Sequence, residues 1–236
     1  MTGNPPAKID WSLREVPADD ARGLDAIADL HMELLDYGPM AGLGWRFVRD
    51  VCYQAHMQDK LLRVALATVN GEPAGFVAYT SLSISFHRSG LAQHWFKAGL
   101  VLAYSLITRP SRILKLARAL KVLWSRRGET VLGADPLGEV VCVAVRKKFL
   151  APAFVRASGI RLSEYLIGYA REQLAKLGAT RMRMIVDADN KPVLMLYHLM
   201  GAHFEPYEQA GEPRVHVWFD LEANDKAANE APGERG

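Results

Sequence analysis

Near its C-terminal end the chain reads DADNKPVLMLYHLMGAHF, from Asp187 to Phe204. Acids and an Asn lead into a short apolar helix, Tyr197 stands in its middle, and Gly201 ends it just before an aromatic. A tyrosine there is either core packing or a hydroxyl with chemical work. Upstream lies RASGIRL, 156–162. A glycine turn at a helix start aims unpaired backbone N–H groups at an anion, and the helix dipole adds to the attraction. Gly159 lets backbone approach a phosphate closely. Arg156 and Arg161 can add charge-assisted contacts to it. The plain alternative is a loop-to-helix turn. Cys142, inside GEVVCVAV, is a nucleophile on paper and otherwise a small buried strand residue. His31, His87, His94, His198 and His203 have no metal-ligand spacing such as H-E-x-x-H and read as structural.

Alternating strands and amphipathic helices must hold these residues. WSLREV (11–16) alternates as a first strand. Asp19 or Asp20 caps a helix to about Leu35, with Leu24, Ile27, Leu30 and Leu34 on one stripe. DYGPMAGLG (36–44) breaks it, and a second helix follows over about 45–57. LLRVALATV (61–69) and PAGFVAYTSLS (73–83) read as strands joined by Asn70-Gly71, a hairpin signal. After a basic stretch comes the strand GEVVCVAV (138–145). RASGIRL then opens a helix with Leu162, Leu166, Ala170, Leu174 and Leu177 on one face, stopped by Gly178. TRMRMIVDA (180–188) is a strand, and KPVLMLYHLM (191–200) is the tyrosine helix, with Asp189 or Asn190 capping it. AHFEPYE and RVHVWFDLE close the chain as paired strands. The alternation predicts an α/β (α+β) fold, a mixed central sheet with helices on both faces.

That order and its punctuation resemble the GNAT superfamily of CoA-dependent N-acyltransferases, over roughly residues 9–83 and 134–222. Two matches carry the resemblance. Arg156 and Gly159 fit the phosphate-binding pattern R/Q-x-x-G-x-G/A, although Arg161 stands in its last place and KKFLAPAFV intervenes between strand and turn. The run DN-x-x-x-x-x-LY-x-x-x-GAHF is similar to the family's N…A…LYEKLGF signature. The resemblance implies acetyl-CoA as co-substrate. Val143, Ala144 and Val145, the turn Arg156, Ala157, Ser158, Gly159, Ile160 and Arg161, and Asn190 would hold it. Asn190 reads equally as a plain helix cap. The resemblance makes Tyr197 the general acid for the departing thiolate, in the splay between the strands at 141–145 and 181–186. An amine must be neutral to attack, so a base is needed. EVVCVAV is similar to the E-I-V-F-C-A-V strand of histone-type members, where the acid is the base, which makes Glu139 the candidate. A solvent-exposed strand-start Glu, with a water chain as base, is the alternative. Period two puts Glu139 on one strand face with Val141 and Val143. Asp36, Tyr37 and Met40 fall in the loop that lines the family's acceptor pocket. No metal is expected.

The totals add a second theme. Half the 236 residues are hydrophobic, enough for one large domain, and two cysteines suit a reducing, cytoplasmic setting. Expected boundaries are a disordered tail over 1–8, the domain over 9–222, and a disordered tail over 223–236. Net charge is +3, yet between Glu72 and Glu129 there is no acid, and nine Lys or Arg lie within 84–128. This inserted segment, 84–134, carries Arg112, Lys115, Arg118 and Lys121 on one side of a helical pattern. It reads as a solvated helical face, as an anionic membrane-surface patch over 84–127, or as a site for an anionic acceptor such as a nucleotide-linked or lipid-linked sugar. Similarity to long GNAT members of surface-polysaccharide assembly points to an amino sugar as acceptor. The rival class is a non-catalytic GNAT-like module binding nucleic acid or membrane. No zinc, helix-turn-helix or RNA-binding signature favours nucleic acid.

Overall fold

The computed structural model describes residues 9–36, 40–81, 137–209 and 211–221. The segment 84–134, Tyr37 and both tails lie outside the described residues. One seven-stranded mixed sheet runs through the molecule in the order β1-β2-β3-β4-β5-β7-β6. The strands are β1 (Trp11–Glu15), β2 (Arg63–Val69), β3 (Glu72–Thr80), β4 (Leu137–Val145), β5 (Arg181–Asp187), β6 (His203–Gln209) and β7 (Glu212–Asp220). All neighbours pair antiparallel except β4 and β5, which are parallel. The hairpin at Asn70-Gly71 forms, with φ of 50° and 76°. Two consecutive residues at positive φ suit the right-handed twist of the flanking strands.

Helices cover both faces, as expected. On one face lie α1 (Ala21–Leu34) and a helix wound with i→i+5 bonds (Phe47–Ala55) that closes in a single α-turn, α2 (His56–Gln58). Asp20 caps α1 by accepting from the Gly23 N–H at 2.9 Å. Leu24, Ile27 and Leu30 of α1 pack with Tyr53 and Val48 on Phe76, Ala78 and Ala144. The other face carries α3 (Lys147–Leu150), α4 (Pro152–Ser158), α5 (Leu162–Lys176) and α6 (Lys191–Leu199). Leu162, Leu166, Ala170 and Leu174 bury the α5 stripe against Val140, Met182 and Phe219. Leu177, expected on that stripe, lies beyond the end of α5 and is 40% exposed. Gly138 lets α5 sit close on β4, since a Cβ there would come within 2.8 Å of Leu174.

Two local departures matter for function. The residues between β4 and the glycine turn are not an extended insertion. Ala151 is extended and Pro152 occupies the first turn of α4, while Phe149 and Phe154 meet edge to face at 5.3 Å. The segment therefore folds as two short helices, and the turn residues Arg156 to Ser158 end α4 rather than open α5. Second, Cys142 lies opposite Ala78 and Val140 opposite Tyr79, so Val141 is the extra residue of a β-bulge. The bulge breaks strict alternation. Val141 and Cys142 both pack with the α1 face, whereas Val143 packs with the α5 face. Glu139, Val141 and Val143 do not share one face.

Candidate active site

β4 and β5 pair over three rungs only, Leu137 with Arg181, Gly138 with Met182, and Glu139 with Arg183. Past Glu139, β4 keeps its bonds to β3 on one side and has no β5 partner on the other. The bulge at Val141 follows at once, and a bulge bends its strand and increases its twist. The sheet thus opens into a fork between 140–145 and 184–187. Val143, Ala144 and Val145 lie on its β4 arm, leaving a strand edge able to hydrogen-bond an extended ligand.

The glycine turn leads from the β4 arm into α5. Gly159 holds φ at 69° as the left-handed cap of α4, and its N–H donates to Val155 O at 2.8 Å. The Ser158 hydroxyl donates to Phe154 O at 2.7 Å and accepts from the Ile160 N–H at 3.0 Å. Those two turn amides are therefore already engaged. Arg161 is the N-cap of α5 and makes no side-chain cap bond, so the first-turn amides of α5 keep no side-chain partner there. Arg161 pairs with Glu164 at 3.0 Å on the surface. Arg156 and Ala157 are exposed, and Ile160 is buried. Two cations beside an uncapped helix start suit a pyrophosphate. Beside the turn, Arg146 reaches Glu33 at 2.8 Å and Glu72 at 2.7 Å, tying α1 to the end of β4.

The other arm carries α6. Asn190 occupies its N-cap position, but its amide makes no cap bond and has no partner among the described residues. Tyr197 is 3% exposed and packs edge to face on Phe219, centroids 6.2 Å apart. Its hydroxyl has no hydrogen-bond partner among the described residues. Burial pushes the phenol well above its ordinary range, so it keeps its proton. A groove of about 430 Å³ lined by Leu194, Met195 and Phe204 runs along another face of α6 and is not part of the fork.

Glu139 is not a solvent-exposed strand-start residue. It is 1% exposed, and its Oε2 accepts from Arg183 Nη2 at 2.9 Å. Arg183 carried no role in the sequence. Its partner lies 44 residues away, and only the Arg–Met alternation of TRMRMIV could have marked it as facing away from α5. Beyond β4 on the α1 face, His31 Nδ1 and the Tyr53 hydroxyl are 2.7 Å apart, and that hydroxyl is 3.4 Å from Cys142 Sγ. Burial pushes the Cys142 thiol up to about 11 and the Cys52 thiol up to about 12. Neither is a thiolate near neutral pH, so neither is a ready nucleophile. Asp36 is exposed, and Met40 packs beside Leu43, Phe47 and Val51. Among the described residues no group of His, Cys, Asp or Glu could hold a metal ion.

No family model matches the sequence, and no curated protein does. Solved structures do match in shape. The spermidine/spermine N-acetyltransferase from Vibrio cholerae, seen in variant forms, aligns with a TM-score of 0.51 at 13% identity, over 92% of this chain and 98% of that one. The PaiA N-acetyltransferase from Thermoplasma acidophilum, in complex with coenzyme A, aligns with a TM-score of 0.50 at 10% identity, over 89% and 99%. An aminoglycoside 6′-acetyltransferase of type Ii aligns with a TM-score of 0.50 at 10% identity, over 89% and 97%. The chain has the fold of the GNAT acetyltransferases.

Proposed function

We propose that the protein is an N-acetyltransferase that moves an acetyl group from acetyl-CoA directly to a small primary amine, with an amino sugar as the favoured acceptor. The observation that carries this reading is the fork, with an uncapped helix start on one arm and a protonated tyrosine on the other. In this reading the pantetheine chain lies along 143–145 and the pyrophosphate meets the α5 amides, Arg156 and Arg161. Asn190 donates a local hydrogen bond. Asp36, Tyr37 and Met40 border the acceptor. The neutral amine attacks the thioester carbonyl, the tetrahedral adduct expels the thiolate, and Tyr197 gives that sulfur its proton. The phenol is then restored from water, and the amine's proton leaves to solvent.

Small-amine acceptors are supported by the names of the structural neighbours, which act on spermidine, spermine and an aminoglycoside. The basic stretch 84–127 supports a peripheral place at an anionic membrane, where a lipid-linked amino sugar would be met. No helix among the described residues is long and apolar enough to cross a membrane. The deciding experiment is thiol release from acetyl-CoA against a panel of amines, polyamines and amino sugars. Turnover on an amino sugar at rates well above buffer supports the reading. Failure to bind acetyl-CoA at all ends it and leaves a non-catalytic module.

A further inference from the structure

The Glu139–Arg183 ion pair lies at the vertex of the fork. The two residues face each other on the last rung that β4 and β5 share. Both are buried, at 1% and 4% exposure, and joined at 2.9 Å. Val140, Met182 and Met184 turn toward α5, so the two charges lie on the opposite face, where Arg183 also approaches the Trp218 ring at 5.9 Å. Burying two charges carries a desolvation penalty that their attraction offsets only in good geometry. An apolar pair of similar volume would hold two strands as firmly. What an ion pair adds is registry, because each charge accepts no other neighbour in that place. Registry is needed here. One residue further on, the bulge turns β4 away, and a slip of one rung would move the mouth of the cleft and every side chain on its wall.

We propose that Glu139 and Arg183 are a positioning pair for acyl transfer. They fix the rung at which β4 and β5 part, and so the place and width of the cleft that receives the thioester. This rests on the acetyltransferase reading of the fork. It removes Glu139 from the role of base. A base must bring an oxygen within about 3 Å of the amine or of one bridging water, and the Glu139 carboxylate is buried with Oε2 held by Arg183.

The test compares wild type with Glu139→Gln, Arg183→Met and the double variant Glu139→Met/Arg183→Met. Hydrogen exchange on the free protein reads the fork without any substrate. Each single variant should speed exchange by at least about tenfold over 137–143 and 181–186, while β2 amides stay as in wild type. Kinetics read the consequence. Glu139→Gln should raise KM for acetyl-CoA and lower kcat by on the order of ten- to a hundredfold, the scale of a small misplacement, equally at neutral and at high pH. The double variant should regain thermal stability but not the acetyl-CoA KM. It also keeps the test in hand if a single variant unfolds. Recovery of the Glu139→Gln rate at high pH with an unchanged KM would restore the base role and overturn the proposal. A double variant with wild-type KM and kcat would reduce the pair to packing. If wild type neither binds acetyl-CoA nor turns over, the functional reading fails separately. Unchanged exchange at the shared rungs would then still refute the registry.

Discussion

Tyr197→Phe separates chemistry from packing at the residue on which the proposed reaction turns. The substitution keeps the ring that is 3% exposed and its edge-to-face contact with Phe219. It removes a hydroxyl with no partner among the described residues. Deleting a buried hydroxyl that makes no hydrogen bond leaves nothing unsatisfied behind, so stability should move by no more than about 0.5 kcal/mol. In a domain of this size that is a Tm change of roughly 1–2 °C. Tyr197→Ala, by contrast, empties the site and should lose about 3–5 kcal/mol of stability. The kinetic expectation for Phe is the reverse. Losing a positioned acid lowers the chemical step by about 10²–10⁴, or roughly 3–5 kcal/mol of barrier. Because burial raises the phenol well above its ordinary range, Tyr197 should produce no fall in kcat up to about pH 10. The assay is single-turnover thiol release under saturating amine, which isolates chemistry from product release. Calorimetric melting and acetyl-CoA titration run beside it. A Tyr197→Phe protein whose single-turnover rate stays within about threefold of wild type, against the loss a general acid predicts, refutes the acid assignment and leaves the ring as core.

Arg156→Ala should weaken acetyl-CoA binding by about 1–3 kcal/mol in titration calorimetry; equal affinity would take that side chain out of the site. Gly159→Ala should lower stability by about 1 kcal/mol even without ligand, since φ there is 69° while the space around it is open. Gly159→Asn should recover part of that in thermal melts, and a harmless Ala would contradict the observed turn. For His31, burial holds the folded imidazole at about 4 against its ordinary 6.5. The neutral form is favoured in the fold, so this contribution is whole above pH 6.5 and is lost as pH falls toward 4, by roughly 3 kcal/mol. Urea melts at several pH values should show that loss in wild type and a flatter profile in His31→Gln; identical profiles would discount His31. The acid-free stretch 73–128 predicts co-sedimentation with anionic vesicles that fades with salt and is weak with neutral ones; equal binding to both would make it a solvated face.

Local signals were read where one residue type decides a local geometry. Asp20 capped its helix, Asn70-Gly71 turned its hairpin, and the Leu162–Leu174 stripe was buried as its period required. The order of strands and helices followed, and with it the fold class. What escaped the sequence depends on pairing between distant segments. Nothing in VVCV marks Val141 as a bulge, because the extra residue is defined only by the register of β3 beside it. The burial of Glu139 is likewise invisible from an E at a strand start, since its counter-charge arrives on another strand. The KKFLAPAFV segment could have been read as helical from Pro152 after an extended Ala151, a helix-start signal that the search for a strand-to-turn link passed over.

The buried thiols bear on the order of the proposed reaction. A two-step route through an acyl-enzyme needs a nucleophile in its reactive form. The two cysteines of the chain, Cys52 and Cys142, are raised to about 12 and about 11 by burial, and Cys142 has the Tyr53 hydroxyl beside it at 3.4 Å. At neutral pH the thiolate fraction at Cys142 is then on the order of one in ten thousand, since each pKa unit is a factor of ten. Direct transfer therefore requires acetyl-CoA and the amine to occupy the fork together. That in turn explains why the geometry of the fork matters more than the strength of any one group. The donor enters along one arm, the leaving sulfur must reach the Tyr197 hydroxyl on the other, and both distances are set where Glu139 and Arg183 close the last shared rung.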